Sequence, residues 1–135
     1  MNEACHTAMD LAVEQLEKHG ALTPFAVVLR TAGDLRLVAL GPDVATGSGA
    51  EDLDSLRGIL RSGAAQELYR ATAVATAVTV RRFDADEPKD ALRFEVEHQR
   101  SRPVTVFLPY VRRDDGYRFE DSYVEPGESI LLKRV

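Results

Sequence analysis

The sequence predicts an α+β domain, with two helices on one face of a mainly antiparallel sheet of five to six strands. Three observations lead there. Two stretches carry apolar residues at helical spacing. The remaining segments alternate with a period of two. Most neighbouring strands are joined by short turns, which only antiparallel pairs can use. The 135 residues are 44% hydrophobic and 29% charged, which suits one domain over residues 1–135 with its own core.

The first helix spans about residues 3–18. Cys5, Met9, Ala12 and Leu16 form its apolar stripe, widened by Ala8 and Val13, while Glu3, Asp10, Glu14 and Glu17 face water. Gly20 supplies a C-terminal cap. A hairpin follows, with strands at Phe25–Arg30 and Leu35–Leu40 around a turn in which Gly33 takes positive φ. Leu35, Leu37 and Ala39 share one strand face and Arg36 lies on the other. A glycine-rich loop fills residues 41–50. The second helix, over about residues 50–69, carries a stripe of Leu53, Leu56, Leu60, Ala64 and Leu68. Gly58 and Gly63 each weaken this helix by up to ~1 kcal/mol, which points to a close packing partner or a break near Gly63.

A meander completes the chain. Ala73–Val80 places Val74, Val78 and Val80 on one face and Ala73, Ala75 and Ala77 on the other. Small residues let a helix approach closely, so this strand is expected at the centre of the sheet. Ala91–Gln99 alternates cleanly, Val104–Val111 returns, Asp114-Asp115-Gly116 turns, and Tyr117–Val124 follows. Ile130-Leu131-Leu132 closes as a short strand or a docked tail. The order is α-β-β-α-β-β-β, with that one further short strand as an option. It resembles the roadblock/profilin-like architecture of small dimerising scaffold proteins, a resemblance of element order across most of the chain. The Phe25–Leu40 and Phe94–Tyr110 hairpins also look like those of small actinobacterial α+β proteins to which no chemistry is assigned. The resemblance implies a bacterial homodimer.

Composition excludes several functions. The formal charge is −5, without the basic excess that phosphate contacts require, so nucleic acid is not the expected partner. One cysteine, Cys5, allows no internal disulfide and no thiolate-rich metal site. No apolar run approaches the ~20 residues of a membrane span, and no basic-then-apolar leader opens the chain, so a cytoplasmic location is expected.

No catalytic constellation, metal spacing or nucleotide loop is present, and no cofactor is expected. The loop before the second helix lacks the Lys-Ser/Thr of a P-loop, whereas Ser48 and Glu51 fit a capping box. His6 and His19 are too far apart to share a ligand face. Glu95 and Glu97 project side by side, as paired carboxylates or as a solvated face of ion pairs. His98 ends the apolar side of its strand, where it serves either as a core residue or as a ligand contact. Arg100 and Arg102 have few acids beside them and are the better anion-binding candidates. Together with Tyr110 they complete a ligand-binding set.

The strand Val104–Val111 is apolar on both faces. Phe107, Pro109 and Val111 therefore need a cover, supplied by the chain's own tail, a partner or a ligand. The expected function is a non-enzymatic protein-interaction module (adaptor, chaperone or immunity-type), homodimeric and meeting its partner through these residues. The alternative is a small-ligand-binding protein or enzyme with a site near His98, Tyr110 and Glu95/Glu97.

Overall fold

The computed structural model describes residues 3–41, 43–81 and 87–132. Helix α1 (Glu3–His19) leads into strands β1 (Phe25–Arg30) and β2 (Leu35–Ala39). Helix α2 (Gly49–Ala65) precedes β3 (Tyr69–Val80), β4 (Lys89–His98), β5 (Ser101–Arg113), β6 (Gly116–Phe119) and β7 (Tyr123–Pro126). The fold is α+β. All seven strands form one open antiparallel sheet in the order β2-β1-β3-β4-β5-β6, and β7 pairs with β5 beside β6.

The central strand is β3, and its alanine face explains its place. Ala73 and Ala75 are fully buried against Ala4, Cys5, Ala8, Ala12 and Leu16 of α1, with Phe25, Val27, Leu92, Phe94, Val96 and Val106 around them. Alanine on alanine brings helix and sheet close together, and the larger side chains at the rim fill the edges.

The two helices do not share a face. Phe25 and Val27 of β1 join the α1 core, whereas Ala26 and Val28 join a second core built on Leu53, Leu56 and Leu60 of α2 with Val74. Successive strand residues point to opposite faces, so α1 and α2 sandwich the sheet. The expectation of one covered face fails for that reason. The four buried residues Phe25–Val28 are the readable sign, since an all-apolar strand is covered on both sides.

Three boundaries also differ. The second helix stops at Ala65, and Leu68, expected in its stripe, is an exposed turn residue before β3. Glu67 takes φ 59° in that turn. The last long strand is split into β6 and β7 around residues 120–122, opposite Pro109, whose carbonyl accepts the Glu120 N–H at 2.8 Å. The Ile130–Leu132 segment is a docked tail and not a strand. Residues 84–90 read from the sequence as a solvated loop, and they lie partly outside the described residues. Arg82, Asp84 and Asp86, which the meander would gather with other charges at one end of the sheet, also lie outside them.

The glycine-rich loop is a cap. Ser48 Oγ accepts the Glu51 N–H at a long 3.5 Å. Asp52 makes the tighter contacts, accepting the Thr46 N–H at 2.8 Å, the Thr46 hydroxyl at 2.9 Å and the Gly47 N–H at 3.2 Å. The Thr46 backbone bond, chief among these, holds the Asp52 carboxyl below its ordinary range. Helix α2 runs unbroken through both glycines. Gly58 is exposed, with nothing within 4 Å of the place a Cβ would occupy. Gly58→Ala is therefore expected to raise stability by up to ~1 kcal/mol, measured by urea unfolding; an unchanged or lower midpoint would contradict this.

Candidate functional site

Two regions carry chemistry that the fold itself leaves unsatisfied. The first is the β2 edge of the sheet. A helix is ~10–12 Å across and strands lie ~4.8 Å apart, so one helix covers two or three strands. Helix α1 lies over β1, β3 and β4, and α2 over β1 and β3. Strand β2 lies at the margin of both: Leu35 packs on the α1 core and Val38 on the α2 core, but Leu37 is 59% exposed. Leu37 also rims a hollow of about 280 Å³ between α1 and β2, with Leu11, Gln15, His19 and Phe25.

The register tells which backbone groups of β2 point outward. Arg30 N–H donates to Asp34 O at 2.8 Å, which makes Arg30 and Asp34 a hydrogen-bonded pair. Such pairs alternate along an antiparallel ladder. Val28↔Arg36 and Ala26↔Val38 are then the bonded pairs, and Leu29↔Leu35, Val27↔Leu37 and Phe25↔Ala39 are not. The N–H and C=O of Leu35, Leu37 and Ala39 therefore face away from β1. Among the described residues no backbone group meets them.

The opposite edge is built differently. It is broken into β6 and β7, ends at Pro126, and carries the Lys89–Glu120 ion pair beside the break. Short strands, proline and charge are the usual guards of a free edge. Strand β2 has no proline and no bulge against β1, and its one charge, Arg36, is neutralised by Asp34 at 2.7 Å.

The second region is a hollow of about 400 Å³ lined by Leu29, Arg70, His98, Gln99 and Arg100. It lies where the β4–β5 turn meets the start of β3. Gln99 fastens the two, since its N–H donates to Arg70 O at 3.0 Å and its side-chain amide to Tyr69 O at 3.1 Å. Arg100 N–H donates to His98 Nδ1 at 3.0 Å.

The structure unites some of the sequence-derived candidates and parts others. His98 and Arg100 share the hollow. Arg102 is exposed on β5 and does not line it. Tyr110 lies at the far end of the β4–β5 hairpin, because His98 pairs with Ser101 while Ala91 pairs with Pro109. There it packs edge-on against Tyr117 at 5.8 Å, and burial pushes its hydroxyl above the usual range. Glu95 and Glu97 are not a joint acid–base pair. Glu95 binds Arg57 of α2 at 2.6 Å and Arg93 at 3.5 Å. Glu97, only 5% exposed, accepts the N–H of Leu131 on both carboxylate oxygens and that of Leu132 on Oε1, each at 3.1 Å. Burial pushes its pKa up despite these bonds.

Strand β5 is covered by the α1 core on one face and only partly on the other. Val106 sits in the α1 core, with Val104, Leu108 and Tyr110 packed against it. On the other face Phe107 stacks on Tyr123 at 5.1 Å, Pro109 is buried and Val111 is half-buried. The tail leaves β7 close over Val104, where Gly127 N–H donates to Pro103 O at 3.0 Å, and reaches the α2 core at Leu131.

Sequence reasoning missed Leu37 and Arg70. Leu37 reads as a buried strand residue, because alternation reports a face and not whether a helix reaches it. Arg70 falls in the gap between the expected end of the second helix and the strand expected from Ala73, so no element was assigned to it. Among the described residues no group of His, Cys, Asp and Glu could hold a metal ion, and no helix is long and apolar enough to cross a membrane. Compared with protein-family models, curated proteins and solved structures, the chain shows no match, so the functional reading rests on this geometry.

Proposed function

We propose that this chain is a protein-interaction module that self-associates by pairing β2 with β2 of a second copy. The observation that carries this is the outward ladder of Leu35, Leu37 and Ala39, unpaired at an edge that lacks the break and the proline of the opposite side.

A second copy suits that ladder because the triplet is its own complement. Antiparallel pairing centred on Leu37 sets Leu37 opposite Leu37 and Leu35 opposite Ala39, apolar throughout. Arg36 falls opposite Val38, so no like charges meet directly. A two-fold contact of this kind closes on itself as a dimer. The exposed Leu37 side chains would then cover one another beside the two hollows that they rim. The likeness of element order to dimerising roadblock/profilin-like scaffolds is in keeping with the same reading.

Sedimentation velocity over a concentration series tests it. The expected result is a monomer–dimer equilibrium that Leu37→Pro weakens about tenfold or more. Proline removes an outward N–H without touching the β1–β2 ladder, and each backbone bond lost contributes ~0.5–1.5 kcal/mol. Val124→Asp, at the opposite edge where Val124 is 55% exposed, should leave the dimer intact. A wild-type monomer at every concentration, or a Leu37→Pro dimer of unchanged affinity, would sink the proposal.

A further inference from the structure

We propose that the hollow between the β4–β5 turn and the start of β3 is a binding site for a small organic phosphate. Its lining brings together two guanidinium groups, Arg70 and Arg100, one imidazole, His98, the amide-bearing Gln99 and one apolar wall, Leu29. No carboxylate lines it. Among the described residues neither arginine makes an ion pair, although six other ion pairs occupy Arg30, Arg36, Arg57, Arg93, Lys18 and Lys89. Two exposed arginines on neighbouring backbone, with no carboxylate in the lining, leave the hollow electropositive and suited to an anion. Guanidinium offers paired N–H donors matched to phosphate oxygens.

The backbone that carries these side chains is held in place before any ligand arrives. His98 Nδ1 accepts the Arg100 N–H, so the neutral ring carries its hydrogen on Nε2, as a donor. Gln99 ties the Arg100 turn to the start of β3, through its own N–H to Arg70 O and its side-chain amide to Tyr69 O. Both arginines thus project from one clamped piece of backbone, and binding costs less ordering. Size sets the ligand class. About 400 Å³ exceeds what a bare phosphate fills and lies in the range of small-molecule sites. Leu29 offers contact to a small apolar body attached to the phosphate. This site is independent of β2 pairing and stands or falls separately.

Titration with phenyl phosphate, followed by amide shifts in ¹H–¹⁵N correlation spectra, tests the site. The expected result is saturable shifts centred on Arg70, Gln99 and Arg100 at millimolar ligand, with inorganic phosphate weaker and phenol without effect. Arg70→Ala and Arg100→Ala should each weaken binding about tenfold, as loss of a charge-assisted bond does, while Arg102→Ala should leave it unchanged. Gln at either arginine, which keeps a polar side chain without the charge, should weaken binding as well, in a spectrum otherwise like wild type. Absence of saturable shifts would overturn the proposal. So would equal loss in Arg102→Ala, which would mean general attraction to a basic surface. Inorganic phosphate binding as tightly as phenyl phosphate would overturn the organic part of the assignment.

Discussion

Gly63→Ala is expected to destabilise the protein by ~1–3 kcal/mol, although alanine favours a helix over glycine everywhere else. A Cβ at Gly63 would overlap the ring of Tyr69, whose Cε2, Cζ and Oη occupy that space. Tyr69 opens β3 and packs against the α2 core. Three carbonyl bonds turn the chain tightly between them: Gln66 N–H and Leu68 N–H each donate to Gly63 O at 3.2 Å, and Glu67 N–H to Ala64 O at 3.0 Å. The ring cannot retreat without disturbing that turn or the core beside it. Urea unfolding of Gly63→Ala against Gly58→Ala reads the contrast directly, since the same chemical change should lower the midpoint at one site and raise it at the other. Equal effects would mean that the ring yields and that helix propensity alone decides.

Glu97→Ala is the second large effect. It removes the acceptor for Leu131 and Leu132 N–H and leaves two choices, both unfavourable. A buried donor without a partner costs ~1–3 kcal/mol. Releasing the tail instead exposes Leu132, which is 7% exposed in place, at ~1.5–3 kcal/mol for a leucine. A loss of ~1–3 kcal/mol is expected, with faster proteolysis after residue 128 if the tail leaves. Unchanged stability would mean that the tail is held by packing alone.

The Glu97 carboxyl also sets a pH dependence of definite sign. Burial raises its folded pKa above the unfolded value, so the folded protein holds this proton more tightly. The stability it contributes is complete below the unfolded pKa of about 4.3. It is lost as pH rises through the higher folded pKa. Asp52 works the other way, as its lowered pKa contributes stability that is lost as pH falls. The comparison that isolates Glu97 is wild type minus Glu97→Gln across pH 4–8. That difference should decline with rising pH; a flat or rising difference would contradict the assignment.

The residues that decided the fold were legible to different degrees. The Ala73–Ala75 face told correctly of a close helix and a central strand, because small side chains on an otherwise large-residue strand have a direct steric meaning. Ser48 told of a cap, but the capping box is only half formed, because the Ser48 N–H donates to Thr46 Oγ1 at 3.1 Å and not to Glu51. What failed was the second covered face. Phe25–Val28 carried that information as an unbroken apolar run, but alternation in Leu35–Ala39 and Ala91–Gln99 argued for one wet face. The charges Arg93, Glu95 and Glu97 sit under α2 and the tail, where Arg57 and two backbone N–H groups neutralise or bond them. A charge buried with partners looks the same in sequence as a charge in water. The β2 edge was illegible for a geometric reason, since which strand lies outermost depends on pairing between β1 and β3, distant in the chain, as Phe25 with Ala75 and Leu29 with Ala71.

Amide hydrogen exchange of Leu35, Leu37 and Ala39, measured at rising protein concentration, tests the proposed self-association most directly. These three amides point out of the sheet, so within one copy they should exchange fast while Val28 and Arg36 are protected. The expected result is protection at all three that grows with concentration in step with the dimer fraction. Fast exchange at every concentration, or a dimer in which these amides stay unprotected, would contradict β2 pairing and move the interface elsewhere on the molecule.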